Sequence, residues 1–276
     1  MSRRKDVGAQ FAESLNLGVM KEHLEDLQEL VAYLERHPEP AYFRIPLVNS
    51  MILAQQQAIE GMRRKIDEMK ATGESPLLGR RFDEAFALAS ELHCLQKRKG
   101  APVPYISHLM AVAGIVLEAN GHYPMGNIED VAIGALLHDA IEDQGHKIGL
   151  DEIKERFGET VHRIVLECSD AIVTTEGEKK PPWKKRKQDY IAKVASKSNE
   201  TLLVSCADKI HNARTTLFDF DRIGDEIWGR FNGGKDGTVW YYESLVAEFE
   251  KAWPENPLLP DLQVLSQRLR AVADST

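Results

Sequence analysis

The chain has 276 residues and a formal net charge of −8 at pH 7. This charge disfavours a general nucleic-acid binder, which presents a basic face, and no apolar run approaches the ~18 residues of a membrane span. The three cysteines, Cys94, Cys168 and Cys206, are far apart and form no CxxC pair, which indicates a reducing compartment and argues against a thiolate zinc site. The basic N-terminus is followed by no apolar segment, so we expect no secretory signal. These features predict a cytoplasmic protein without a nucleic-acid or membrane partner.

Helical periodicity dominates the sequence, and convincing alternating strand patterns are absent. We therefore predict an all-α fold, a helical bundle with an N-terminal helical extension. The predicted parts are an N-terminal helical hairpin over 1–75, the main bundle over 76–252, and a C-terminal tail with a short helix over 253–276.

Two amphipathic stretches indicate the N-terminal hairpin. Leucines recur at three- and four-residue steps between Leu24 and Leu34, and Ile52, Ile59 and Ile66 share one heptad position in the second stretch. These heptads are too few for a coiled coil. We expect the hairpin to dock on the main bundle or on a partner subunit, and the second case predicts a homo-oligomer through these helices.

A dense helical pattern follows the linker over 71–76, which contains Gly and Pro. Apolar residues in this pattern recur at three- and four-residue intervals, as in helices that bury one face. The predicted helices span 82–96, 108–119, 128–144, 150–157, 160–169, 186–196, 201–218 and 238–251, and a short amphipathic helix spans 262–272.

The segment LLHDAIED over 136–143 carries the clearest chemical signal in the sequence. At 100° per residue its apolar side chains occupy one arc of a helix, and the opposite arc carries His138, Asp139, Glu142 and Asp143. The segment has no base to neutralise its three carboxylates. Their clustering is costly unless a cation lies among them, so the pattern predicts a metal site.

A divalent ion needs ligands from elsewhere in the fold, and two residues are candidates. His108 opens a predicted helix after a turn-like, Pro-containing stretch, and Asp208 lies deep in a helix whose flanks look buried. A lone His or mid-helix Asp is more often structural than functional, so neither residue indicates a site by itself.

Together with His138 and Asp139, these two residues have the order H…HD…D, and the chain resembles the HD phosphohydrolase superfamily over Arg81 to Lys251. It resembles most closely the hydrolase domain of the RelA/SpoT-type enzymes and the stand-alone small alarmone hydrolases. The matching segments are PYISH over 104–108, LLHDAIED over 136–143 and ADKIHNAR over 207–214. The Glu-Asp pair after the HD dipeptide is the most specific match, because most HD families lack it.

The resemblance implies a Mn²⁺ ion held by His108, His138, Asp139 and Asp208. Two imidazoles and two carboxylates make a mixed nitrogen and oxygen site, which also suits Fe²⁺, Co²⁺ or Zn²⁺, so another divalent metal stays open. The resemblance further implies that Glu142 and Asp143 are catalytic. A carboxylate near a divalent ion can take a proton from the attacking water, which the ion makes more acidic. The alternative for this pair is a solvated helix end.

Substrate-binding residues are expected in basic and aromatic segments. Arg98 and Lys99 precede Tyr105, as a basic stretch precedes the matching Tyr in the alarmone hydrolases, although the stretch is shorter here and Leu109 replaces the usual Pro. Asn212, one turn after Asp208, resembles a family residue near the substrate. A solvated loop is the alternative for the basic pair.

The glycine-rich segment over 231–242 leads into an aromatic helix. Backbone N–H groups and Lys235 at a helix start suit a phosphate, and Tyr241 resembles the family's substrate-side Tyr, with core packing as the alternative. The basic run from Lys179 to Lys187 either contacts phosphate or forms a solvated face, and both interpretations stay open.

The resemblance implies hydrolysis of guanosine 3′,5′-bis(diphosphate)-type alarmones to GDP or GTP and pyrophosphate. With no synthetase region after the bundle, we expect degradation only. One alternative is an HD phosphohydrolase acting on another small anionic nucleotide, such as an adenosine alarmone, a nucleotide monophosphate or NADPH. Another is a non-catalytic HD protein that senses nucleotides.

Overall fold

The computed structural model describes residues 78–123, 126–175 and 177–275, and a few scattered residues between 28 and 61. Within the three continuous ranges the chain forms ten α-helices and two 3-10 helices, and these ranges contain no β-strand. This confirms the prediction of an all-α fold. The predicted N-terminal hairpin, and the homo-oligomer contact expected from it, lie almost entirely outside the described residues.

The α-helices are numbered here in chain order from residue 80. They are α1 (Arg80–Leu92), α2 (Ile106–His122), α3 (Ile128–Leu137), α4 (Ala140–Gln144), α5 (Leu150–Phe157), α6 (Glu159–Cys168), α7 (Trp183–Ala192), α8 (Asn199–Ile223), α9 (Gly234–Ala252) and α10 (Leu259–Asp274). Short 3-10 helices span Val194–Ser196 and Gly224–Arg230. No helix in the described part of the chain is long and apolar enough to cross a membrane.

Helix α8 is the central helix of the compact unit Arg81–Thr276 and packs against α2, α3, α6 and α10. Its first half is almost entirely buried, and Leu202, Leu203 and Ile210 are fully inaccessible side chains in the core. Burial of an apolar stripe this long is the main source of stability in a helical bundle. Because Asp208 lies in the same stretch, its carboxylate is held in the interior of this unit.

Local signals explain where several helices begin and end. Asn127 caps α3 by accepting a hydrogen bond from the backbone N–H of Glu129 at 3.1 Å, and Ser198 caps α8 in the same way through Thr201. Gly158 ends α5 with a φ of 89°, a conformation that costs glycine little and other residues more.

The prediction of one helix over 128–144 is wrong, because the helix breaks at His138 and Asp139. The ring Nδ1 of His138 donates to the carbonyl of Ala135 at 2.7 Å, so a side chain occupies a carbonyl that helical hydrogen bonding would otherwise use. Asp139 has φ −98° and ψ 0° and precedes α4. The break separates α4 from α3 and places the HD dipeptide between the two helices.

Other predicted helix ends also differ from the structure. Helix α1 ends at Leu92, and residues 93–105 form a loop tied by backbone bonds between Gln96 and Tyr105 and between Arg98 and Val103. Helix α7 begins three residues before its predicted start, at Trp183. The 93–105 loop thus presents its basic residues from a hydrogen-bonded turn.

Candidate metal centre and active site

Three parts of the fold bring the four predicted ligands together. His108 lies in the first turn of α2, His138 and Asp139 lie at the break between α3 and α4, and Asp208 lies in the middle of α8. One ligand atom each of His108, His138 and Asp208 lies within 4.8 Å of the others. The Oδ2 atom of Asp139 is 3.1 Å from Nε2 of His138 and 3.6 Å from Nε2 of His108.

The donor set fits a divalent ion. Both histidines are buried, and the Nε2 atom of each has no hydrogen-bond partner despite carboxylate oxygens within 4 Å. An unpaired buried nitrogen is costly, so its presence calls for a ligand. The Nδ1–H of His138 donates to Ala135, which leaves the Nε2 lone pair free to bind a metal.

The charges in this cluster favour a cation. Burial opposes protonation of His138, but the carboxylates of Asp139 and Asp208 outweigh it and hold the pKa of His138 well above its usual value. Burial also opposes ionisation of Asp208, yet Lys209 and the two histidines hold its pKa well below the usual range. Without a metal, a proton on His138 supplies part of the positive charge that the two carboxylates require.

Glu142 and Asp143 lie on α4 beside the ligand cluster and share a basic partner. Lys180 donates to Oε1 of Glu142 at 3.0 Å and to Oδ1 of Asp143 at 2.9 Å, and Arg186 approaches Glu142 at 3.4 Å. The other Asp143 oxygen accepts from Gln96 at 2.8 Å. Segment 136–143 has no base of its own, and the cations that neutralise its carboxylates come from the 179–187 segment. Helical periodicity could not predict that these two segments are in contact.

Backbone packing holds Val173 close to the C-terminal end of α4. A Cβ atom on Gly145 would lie 2.0 Å from the carbonyl oxygen of Val173, and the backbone N–H of Val173 donates to Ile141 at 3.3 Å. Only a glycine permits so close an approach.

Asp170 is a residue of the site that the sequence analysis missed. Its side chain is 2% exposed and forms ion pairs with Arg186 and with Lys187, the latter at 2.7 Å. Burial raises its pKa, but Lys187 and Arg186 overcome this and lower the pKa to about 2. Burial and then the Asp170 charge raise the pKa of Glu142. Asp170 belongs to none of the motifs described above, so no local pattern in the sequence identifies it.

A cavity of about 610 Å³ opens beside Glu142. Its lining includes Lys180 and Arg186, which contact Glu142 on α4, and the further cations Lys187, Arg98, Lys99 and Arg230. A cavity of this size and charge suits a small, multiply charged anion.

Arg98, Lys99 and Asn212 all reach the cavity, as predicted for a substrate site. Arg98 donates to Oδ1 of Asn212 at 2.6 Å, and Lys99 donates to Asn232 at 3.3 Å. The amide of Asn212 also donates to the predicted ligand Asp208, so Asn212 connects the candidate metal centre to the cations of the cavity. Contacts to neutral amides leave the charge of Arg98 and Lys99 available to an anion.

Tyr105 lines the cavity but also contacts the predicted metal ligand Asp139. Its hydroxyl donates to Oδ2 of Asp139 at 2.6 Å, and its ring stacks on His93. Burial and the Asp139 charge raise the Tyr105 pKa well above its usual value, so the hydroxyl remains a donor. Tyr105 can thus orient Asp139 in addition to its predicted contact with substrate.

The two predicted residues of the glycine-rich segment lie in different places. Tyr241 lines the cavity and is 7% exposed, and its hydroxyl has no hydrogen-bond partner. Lys235, in the first turn of α9, is not among the cavity-lining residues. Two glycines of the segment pack against the indole of Trp183: a Cβ on Gly233 would lie 2.5 Å from it. The glycines therefore have a packing role, and the structure gives no support to a phosphate contact through Lys235.

Comparison with known proteins is consistent with this geometry. A family model described as "HD domain" matches residues 85–238. A human protein named guanosine-3′,5′-bis(diphosphate) 3′-pyrophosphohydrolase MESH1 is 34% identical over 148 residues, which cover 52% of this chain and 72% of the human protein. A probable guanosine-3′,5′-bis(diphosphate) 3′-pyrophosphohydrolase from Synechocystis is 32% identical over 136 residues, 48% of this chain and 16% of that protein.

A solved structure of a metazoan ortholog of SpoT that hydrolyses ppGpp has the same fold. It aligns with a TM-score of 0.54 and 23% sequence identity, covering 72% of this chain and 99% of the other. The agreement confirms the predicted helical architecture.

Proposed function

The chain belongs to the HD domain family, and on that premise we propose that it is a metal-dependent hydrolase that removes the 3′-diphosphate from guanosine 3′,5′-bis(diphosphate)-type alarmones. Water adds to the 3′ phosphorus, the bond to the ribose 3′ oxygen breaks, and the products are pyrophosphate and GDP or GTP. The human relative that matches this chain is named for this activity.

One observation carries the proposal. Two buried, unpaired imidazole nitrogens and two carboxylates converge next to Glu142 and Asp143, beside a cavity lined by several cations. This arrangement supports an ion site, a pair of proton acceptors and an anion site within one cavity, and phosphate hydrolysis uses all three.

We propose Mn²⁺ as the ion, held by His108, His138, Asp139 and Asp208. The set contains no thiolate and is harder than a cysteine site, which supports Mn²⁺ among the divalent metals. When bound, the ion polarises the scissile phosphate and acidifies the attacking water.

Glu142 and Asp143 are the proposed proton acceptors. Lys180 bridges both carboxylates at 3.0 and 2.9 Å, which keeps two acidic groups side by side without strong repulsion. The raised pKa of Glu142, caused by burial and by Asp170, makes Glu142 a stronger base than an ordinary glutamate. A base of this kind can take a proton from water and return it to the leaving ribose oxygen.

Different cations of the cavity would bind different parts of the proposed substrate. Lys180, Arg186 and Lys187 lie nearest Glu142 and would bind the phosphates that react. Arg98 and Lys99 would contact the remainder of the nucleotide, with Tyr241 offering its unpaired hydroxyl. We also propose a cytoplasmic location, which three free cysteines support.

The test is a nucleotide panel with the purified full chain and Mn²⁺, read by product chromatography. The panel contains ppGpp, pppGpp, an adenosine alarmone, a nucleotide monophosphate and NADPH, and the Glu142→Ala variant is the control for contaminating hydrolases. We expect pyrophosphate together with GDP or GTP. Orthophosphate from a monophosphate or NADPH would instead favour the other HD phosphohydrolase activity, and Mn²⁺ binding without turnover of any nucleotide would favour a sensor.

A further inference from the structure

His211 is close to the metal centre but is not one of its predicted ligands. Its ring Nδ1 lies 2.8 Å from Nδ1 of His108, and the two ring centroids are 4.8 Å apart. His108 is fully buried, whereas His211 is half-buried and lines the cavity. The far nitrogen of His108, Nε2, faces the carboxylates of Asp139 and Asp208 at 3.6 and 3.2 Å.

The distance between the two Nδ1 atoms requires that one of them carries a proton and the other accepts it. If the proton lies on His211, the Nδ1 of His108 is an acceptor, and a neutral His108 then carries its own proton on Nε2. That Nε2–H would point at the carboxylates and could not bind a metal. If the proton lies on His108, its Nε2 has a free lone pair directed into the ligand cluster.

We infer that His211 is a positioning residue that accepts the Nδ1–H of His108 and so keeps the Nε2 lone pair of His108 available to the metal. This inference rests on the proposed metal centre. The Nδ1–H of His138 also has an acceptor, the backbone carbonyl of Ala135 at 2.7 Å. A metal-bound histidine generally has such a partner on its other nitrogen.

The fold explains why the partner of His108 is a side chain of another helix. His108 lies in the first turn of α2, and α2 packs directly against α8. Asp208 and His211 are three residues apart on α8, so one turn of that helix supplies both a ligand and the acceptor for a second ligand. The orientation of His108 therefore depends on α8.

The test is calorimetric titration of Mn²⁺ into the full chain and three variants. His211→Phe keeps an aromatic ring but removes the acceptor, whereas His211→Asn places an amide oxygen near the former Nδ1 position. We expect roughly 10- to 100-fold weaker Mn²⁺ binding in His211→Phe and affinity close to wild type in His211→Asn. Thr216→Val, which also alters α8 at the cavity but touches no ligand, should bind Mn²⁺ normally.

Thermal unfolding of the metal-free variants shows whether each is folded, and His211→Leu replaces His211→Phe if that variant is not. Wild-type Mn²⁺ affinity in the folded Phe or Leu variant would overturn the role of His211 and leave the hydrolase proposal intact. Equal losses of Mn²⁺ affinity in His211→Asn and His211→Phe would also overturn the role of His211. The loss would then come from changed packing and not from the missing hydrogen-bond acceptor. Failure of the wild-type chain to bind Mn²⁺ would overturn both the metal centre and this role.

Discussion

The carboxylates around the site have different partners, and these partners determine what each carboxylate can do. Asp139 and Asp208 face imidazole nitrogens. Burial alone would raise the pKa of both carboxylates, but the charge of His138 lowers the pKa of Asp139 well below the usual range, and the charge of Lys209 does the same for Asp208. Glu142 faces cations but also lies beside Asp170, so its pKa is raised by burial and by that charge. The first two carboxylates are suited to hold a cation, and Glu142 is suited to accept a proton.

This difference between the carboxylates predicts that one of two neighbouring substitutions will remove metal binding and the other will remove only turnover. Asp139→Ala should abolish Mn²⁺ binding, because it removes a ligand and the charge that balances His138. Glu142→Ala should keep Mn²⁺ binding but lower kcat by about 10²- to 10⁴-fold, the range for loss of a general base. Calorimetry and a pyrophosphate assay on both variants give the two readouts. A Glu142→Ala enzyme with nearly wild-type turnover would refute its assigned role.

Helix α7 carries much of the cationic side of the cavity, and its position depends on specific contacts with α9. The indole of Trp183 lies against Gly233 and Gly237, and Lys184 lies over the ring of Trp240 with its Nζ 3.0 Å from the centroid. Such a cation–π contact contributes about 0.5–1 kcal/mol at an exposed site. Packing of Trp183 therefore contributes to where Arg186 and Lys187 lie.

Gly233→Ala tests this packing. The new Cβ would lie 2.5 Å from Trp183 Cη2, so the indole or α9 must move, and overpacking of this kind costs about 1–3 kcal/mol. We expect a lower Tm and a raised KM, because Trp183 lines the cavity. Gly229→Ala is the matched control, since a Cβ there meets nothing within 4 Å. Equal Tm values for the two variants would show that the Trp183 contact does not constrain α7.

The start of α7 is also held by Asp170, whose side chain is buried between Arg186 and Lys187. Asp170→Ala should destabilise the fold by about 3 kcal/mol, because it leaves buried cations without their partner. Asp189→Ala removes a comparable pair with Lys185 on the exposed face of α7, at 3.0 Å, and should change stability by less than about 1 kcal/mol. Urea unfolding measures both. Similar losses in the two variants would contradict the assigned importance of burial.

The stability of the whole molecule should depend on pH through a lysine away from the metal centre. Lys197 is 9% exposed, and its Nζ has no hydrogen-bond partner and lies 3.2 Å from the centroid of the Tyr190 ring. Burial lowers its pKa from 10.5 to about 7. Between these values the unfolded chain binds a proton that the folded chain does not, so Lys197 makes stability rise with pH through this window.

Lys197→Met isolates this contribution. At pH 7 and below, the variant should be more stable than wild type, because the folded wild-type protein buries a charged lysine. The advantage should shrink as pH rises from 7 to about 10.5, by about 1.4 kcal/mol per pH unit. Chemical unfolding at several pH values measures it, and Lys193→Met at an exposed position is the control. A pH-independent difference would show that Lys197 is not neutral in the fold.

Much of the fold was predictable because helical periodicity is a local property of the sequence. The predicted helix over 150–157 matches α5 residue for residue, and that over 160–169 lies within one residue of α6 at each end. The predicted helix over 128–144 failed at His138, because its apolar pattern continues through a break that a side-chain hydrogen bond creates. Local patterns cannot reveal such competition between a ring nitrogen and the helix.

The sequence by itself indicated His138, Asp139 and the Glu142–Asp143 pair through their residue types in one short motif, and His108 and Asp208 only through the resemblance to a known family. Only the tertiary structure decided what surrounds them. Lys180 lies 37 residues from Asp143, Arg98 lies 114 from Asn212, and His211 lies 103 from His108. Contacts over such separations depend on how whole helices pack, and helix packing is set by the summed burial of many apolar side chains, so it leaves no local pattern in the sequence.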